Sequence, residues 1–107
     1  MDTVDLRDPS RRLYRLHHVR SDLLDEKLRE SSWDPITVVW FKKANGARVL
    51  LVTDGTHRTQ AAIDRGDSEI ACKVADLQDV IRVARNRHVN LEALAESSKP
   101  FRRGEYD

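Results

Sequence analysis

Residues 36–53 constrain the fold of this chain more than any other stretch. Ile36 to Phe41 reads ITVVWF and Arg48 to Thr53 reads RVLLVT, with Asn45-Gly46 between them. β-Branched and aromatic runs of this length favour extended backbone, and Asn-Gly is a strong hairpin-turn signal. Both arms are apolar at successive positions, so each presents apolar side chains on both of its faces. Strands of that kind belong in the middle of a sheet with other elements packed over it.

The rest of the chain supplies those elements. Residues 1–12 are polar, contain Pro9 and read as a flexible N-terminal arm. Tyr14, Leu16 and His18 alternate with Arg15 and His17, which predicts a short strand. Ser21 reads as the N-cap of a helix from Asp22 to about Glu30, with Leu24 and Leu28 facing inward at i,i+4 spacing. That helix stops by Asp34, because the residue before Pro35 is pushed out of the α region. After the hairpin, Asp54-Gly55 breaks the second arm and Thr56 to Arg65 reads as a helix closed by Gly66. Ile70, Cys72 and Val74 alternate in a further strand. Asp76 caps a helix whose Leu77, Val80, Ile81 and Ala84 form one apolar stripe. Asn90 caps a last short helix, and a tail from Ser97 to Asp107 offers little to bury except Phe101.

The expectation is one small α/β (α+β) domain over residues 13–96, a mixed sheet with flanking helices, between the arm at 1–12 and the tail at 97–107. A chain of 107 residues can build one core without staples. Its single cysteine, Cys72, forms no intramolecular disulfide and excludes a Cys-rich zinc site. No apolar run approaches the ~20 residues of a membrane span. Asp2 and Asp5 stand where a signal peptide needs basic and then apolar residues, so a cytoplasmic location is expected. The net charge of +1 gives no global attraction to nucleic acid.

The stretch that carries chemistry is strand, then Asp54-Gly55-Thr56-His57-Arg58, then helix. Backbone N–H groups left unpaired at a helix N-terminus, with the helix dipole, make an anion site. Gly55 permits a positive φ and lets a ligand approach the backbone. Thr56 offers a hydroxyl to a ligand or to the helix itself. His57 and Arg58 stand in the first turn, where a guanidinium can grip phosphate in a bidentate fork. A positive side chain opposes the dipole there, a conflict that a bound anion would resolve. The bland alternative is that Asp54 caps the helix and Arg58 pairs with a surface carboxylate. His17 and His18, adjacent on a strand, point to opposite faces and would not share a metal.

These residues resemble the ParB/sulfiredoxin superfamily. The stretch VTDGTHRTQAAIDRG follows WDPITVVWFKKANGARVLL and precedes SEIACKVAD. The likeness lies in a proline-led strand at Pro35, a Gly-x-His-Arg signature followed by Ala61-Ala62, and the strand from Ile70, and it covers about residues 13–85. It implies a nucleotide site, ATP, ADP or CTP with Mg²⁺, whose phosphates meet Gly55, Thr56, His57, Arg58 and Thr59. On the same analogy Arg20 and Lys27 supply contacts from the first helix, Trp33 stacks on the base or substrate, Asp54 holds Mg²⁺, and His57 with Asp54 does acid–base work. Sulfiredoxins place a reactive cysteine where this chain has Thr56, so sulfiredoxin chemistry is disfavoured. Cys72 is no replacement, because its alternation makes it a core residue. Partition ParB proteins carry a helix-turn-helix domain, for which the two short helical segments after Val74 are too little. Free-serine kinases of the superfamily use an Asp-Gly-His-His-Arg-like motif, close to the one here.

The function expected is therefore nucleotide or phosphate binding, with phosphotransferase or NTP hydrolase activity if the domain is an enzyme. The alternative is a nucleic-acid-associated regulator or accessory protein with DNA or a protein as partner. An uncovered sheet edge would also allow a homodimer.

Overall fold

A computed structural model describes residues 2–8 and 12–104. The elements, in chain order, are β1 (Asp2–Asp5), β2 (Leu13–Arg15), α1 (Ser21–Arg29), β3 (Ile36–Lys42), β4 (Arg48–Asp54), α2 (Thr56–Arg65), β5 (Glu69–Val74), α3 (Leu77–Asn86), α4 (Leu91–Glu96) and β6 (Lys99–Pro100). The six strands form one mixed sheet in the order β1-β5-β3-β4-β2-β6. The hairpin β3–β4 lies at its centre, as its two apolar faces require. Its arms pair antiparallel, with β5 parallel to β3 and β2 parallel to β4 outside them. At the turn, Gly46 takes φ 89° and Lys43 N–H bonds Ala47 O at 2.8 Å.

Each face of the hairpin buries a separate cluster. Ile36, Val38, Leu50 and Val52 pack with Ala62 of α2, while Val19 and Leu24 close around Ala61. On the other face Val39, Phe41, Val49 and Leu51 meet Ala95 of α4, with Leu77 and Val80 of α3 alongside. The result is a three-layer α/β domain with α1 and α2 on one side and α3 and α4 on the other. Asp76 caps α3 by accepting from Gln78 and Asp79 N–H, and Asn90 caps α4 by accepting from Ala93 N–H.

The structure departs from the sequence reading at both ends of the chain. Asp2–Asp5, expected in a flexible arm, is an edge strand antiparallel to β5. Backbone pairing with only Val4 buried suffices to hold it, and Leu6 N–H continues the ladder to Ser68 O at 2.9 Å. Pro9, within the same expected arm, lies outside the described residues. The tail from Ser97 is likewise part of the sheet. Lys99–Pro100 pairs with β2, Phe101 is buried in the core, and Gln60 Nε2–H₂ of α2 donates to Arg102 O at 2.8 Å. The sheet therefore extends past residues 13–96 at both ends; Glu105 to Asp107 of the tail lie outside the described residues.

Two local expectations also shift. The second strand is Leu13–Arg15 rather than Tyr14 to His18, because Leu13 joins the α2-side core and Tyr14 the opposite one. Helix α1 begins one residue early: Arg20 occupies the cap position and no side chain caps it. Among the described residues no helix is long and apolar enough to cross a membrane.

Candidate functional site

Strand β4 ends at Asp54, Gly55 turns the chain, and α2 starts at Thr56. Gly55 sits at φ 105°, ψ 30°, in the left-handed region where glycine is strain-free. A Cβ added there would lie 2.5 Å from Ile36 Cγ2, so the close approach to β3 also demands glycine. No side chain caps the N-terminus of α2 and its first turn holds no acidic residue. That end opens into a cleft of about 1110 Å³ between α1, the β3 entry and the β4–α2 turn.

Of the residues expected in the site, the cleft brings together Asp54, Gly55, Thr56, His57, Arg58, Arg20, Lys27 and Trp33. Thr59 is a correction. It is fully buried, and its hydroxyl donates back to Gly55 O at 2.8 Å within the helix. A residue three places after Thr56 comes round to the core side, where Ala62 also packs.

Arg58 resolves its conflict with the helix dipole internally. Its Nη1 donates to Asp34 O at 2.8 Å and to Pro35 O at 3.2 Å, and its Nη2 to Asp54 Oδ2 at 3.1 Å. Its side chain is 15% exposed while the Asp54 carboxylate is 72% exposed. Arg58 thus braces the entry to β3 and presents Asp54 at the rim; a bound anion is not needed to explain its position.

The state of His57 is set by a partner outside the motif. Arg20 N–H donates to His57 Nε2 at 3.0 Å. A backbone amide can only donate, so Nε2 is the unprotonated nitrogen and the proton sits on Nδ1. Partial burial, together with the nearby Arg20 charge, holds the imidazole below its ordinary pKa. His57 is therefore a neutral ring with an Nδ1–H donor at neutral pH, and Nε2 is not free to accept a proton.

The other expected groups have structural duties as well. Arg20 pairs with Asp22 at 2.9 Å in the open, and Lys27 with Glu30 at 3.2 Å in a half-buried pair. Trp33 donates from Nε1 to Lys27 O at 3.1 Å, and the Arg65 guanidinium lies 4.2 Å from its ring centroid. It is a wall of the cleft that ties α1 to the core.

Sequence reasoning missed three cleft residues, His17, His18 and Lys73. The histidines follow β2 in a bend instead of lying on it, so strand alternation does not separate them. Lys73 stands beside the inward Cys72 and reaches the cleft through parallel pairing with Thr37, a long-range register that the local pattern does not contain. Four permanent cations (Arg20, Lys27, Arg58, Lys73) line the cleft with three carboxylates (Glu30, Asp34, Asp54). Cys72 is buried in the core, and burial raises its thiol pKa. Among the described residues no three His, Cys, Asp or Glu side chains come together to hold a metal.

Against models of known protein families, curated proteins and solved structures, the chain matches none.

Proposed function

We propose that this chain is a ParB/sulfiredoxin-like protein that binds the phosphate groups of a nucleotide, ATP, ADP or CTP, in the cleft at the N-terminus of α2. One observation carries the reading: an uncapped ten-residue helix points its N-terminus into the cleft from a glycine that a side chain could not replace. Backbone N–H groups of the first turn have no acceptor within the helix, and the dipole adds positive potential there. Lys73 and Lys27 bring cations to the same opening, Lys27 paired with Glu30. The Nδ1–H of neutral His57 serves as a donor to a phosphate oxygen.

Arg58 contributes mainly by holding Asp34, Pro35 and Asp54 in place around the ligand. A Mg²⁺ carried in with the nucleotide would meet the protein at the exposed Asp54 carboxylate, with phosphate and water as its remaining ligands, and would neutralise phosphate charge. A phosphotransferase or hydrolase activity would draw on the same positioning and charge neutralisation.

Thermal unfolding with millimolar Mg-ATP, Mg-ADP and Mg-CTP tests the reading. A ligand at about a hundredfold excess over its Kd adds about 2.7 kcal/mol, a Tm rise on the order of 10 °C for a domain of this size. Lys27→Gln combined with Lys73→Gln, both remote from the core, should reduce that rise. No shift with any of the three nucleotides would overturn the proposal.

A further inference from the structure

The hairpin end of the sheet carries a second concentration of positive charge, remote from the cleft. Arg48 opens β4 and Asp54 closes it, about 20 Å apart along the strand. Trp40 lies opposite Leu50, and Leu50 opposite Leu13, so one row crosses β3, β4 and β2 on the α2 side of the sheet. At one end of the row Trp40 is 39% exposed, with the Arg48 guanidinium over one face of its ring, 5.1 Å from the centroid. Lys42 lies directly opposite Arg48 on the same face, a like-charge pairing that destabilises a sheet.

At the other end, beyond Leu13, is a pocket of about 320 Å³ with Phe101 in its wall. Arg7, Arg12, Arg102 and Arg103 surround it, and Asp8 is the carboxylate among its lining residues. Two groups of cations thus flank an exposed indole, with roughly 10 Å between Trp40 and Leu13 across two strand spacings. Guanidinium groups suit phosphate, and an exposed indole suits an unstacked base. Nothing in the α2 N-terminal cleft enters this geometry.

We propose that the hairpin end binds single-stranded nucleic acid, with a base stacked on Trp40 and the sugar–phosphate backbone running between Lys42–Arg48 and the arginine pocket. Duplex DNA is disfavoured, because its bases are already stacked and have no use for the indole. The site is separate from the nucleotide reading and stands or falls independently of it.

The test is fluorescence anisotropy of a labelled oligothymidylate of about 15 nucleotides, titrated with the full chain over a range of salt. Binding at low salt should fall with a log–log slope of about −2 to −4, that of a few phosphate contacts at about 0.7 each. Trp40→Leu should weaken binding about tenfold with the slope unchanged. Arg102→Gln with Arg103→Gln should make the slope shallower by about 1.4. Lys42→Gln, at an exposed position, repeats the test where folding is not at stake, and a circular dichroism melt checks each variant. Absence of low-salt binding, or tighter binding to a duplex of the same length, would overturn the proposal. So would binding that Lys73→Gln removes and Trp40→Leu leaves intact, since the oligonucleotide would then occupy the cleft.

Discussion

The two ends of the central hairpin treat their cations in opposite ways. At the cleft, Arg58 is folded inward and satisfied by two backbone carbonyls and one carboxylate. At the hairpin end, Lys42 faces Arg48 across the ladder and four arginines share one pocket wall. An arginine in a binding motif can therefore be scaffold, while cations scattered over four segments can converge. What distinguishes the two is local geometry. The chain turning at Asp34-Pro35 brings two carbonyls to Arg58, whereas the antiparallel register sets Lys42 and Arg48 against each other.

Substitutions can break that contrast, and the largest effect belongs to a glycine. Gly55→Ala would force a Cβ to 2.5 Å from Ile36 Cγ2 in a left-handed backbone, and should cost about 3 kcal/mol in urea unfolding. Gly46→Ala in the hairpin turn meets nothing within 4 Å and should cost only about 1 kcal/mol, the conformational part alone. Equal losses would show that packing against β3 is not what requires glycine at the cleft.

Arg58→Ala comes next. It removes three hydrogen bonds around a mostly buried guanidinium and should lower stability by about 2 kcal/mol, with Arg58→Lys a poor rescue because one ammonium cannot reproduce the fork. Arg103→Ala at the opposite end should change stability by less than about 0.5 kcal/mol, although it weakens oligonucleotide binding. A stability loss at Arg103 matching that at Arg58 would erase the difference drawn between the two ends.

A pH titration sharpens the cleft side. The pKa of His57 is lowered in the folded protein, chiefly by partial burial and then by the Arg20 charge. The unfolded chain then binds the proton more readily, so the contribution of His57 to stability is complete above the ordinary histidine pKa of about 6.5 and is lost as pH falls below it. His57→Gln should flatten that part of the Tm–pH profile. A profile that keeps its slope in the variant would place the responsible group elsewhere. The smallest expected effect is at Lys42→Gln, which relieves the like-charge pair with Arg48 and should stabilise the protein by about 0.3 kcal/mol.

The centre of the fold was legible because its signals are local. The runs 36–41 and 48–53, the Asn45-Gly46 turn, and the caps at Asp76 and Asn90 each state their structure within a few residues. The edges were not. Asp2–Asp5 and Lys99–Pro100 are held by backbone pairing to distant strands, which leaves almost no side-chain pattern. In the site, the sequence located the turn and the start of the helix, and it placed Cys72 in the core. It misjudged Thr59 because helical rotation turns that hydroxyl inward. It left the protonation state of His57 open, because the decisive partner is the backbone amide of Arg20, thirty-seven residues away. Lys73 depends on the β3–β5 register and was missed for the same reason.

The claim that phosphate binds at the α2 N-terminus is tested most directly by amide chemical shifts of the isotope-labelled protein during titration with the Mg-nucleotide. The account predicts the largest, saturable shifts at the backbone N–H groups of Thr56, His57 and Arg58, while the Trp40 indole N–H stays in place. Saturation with those three amides unmoved would contradict it, as would shifts confined to the hairpin end.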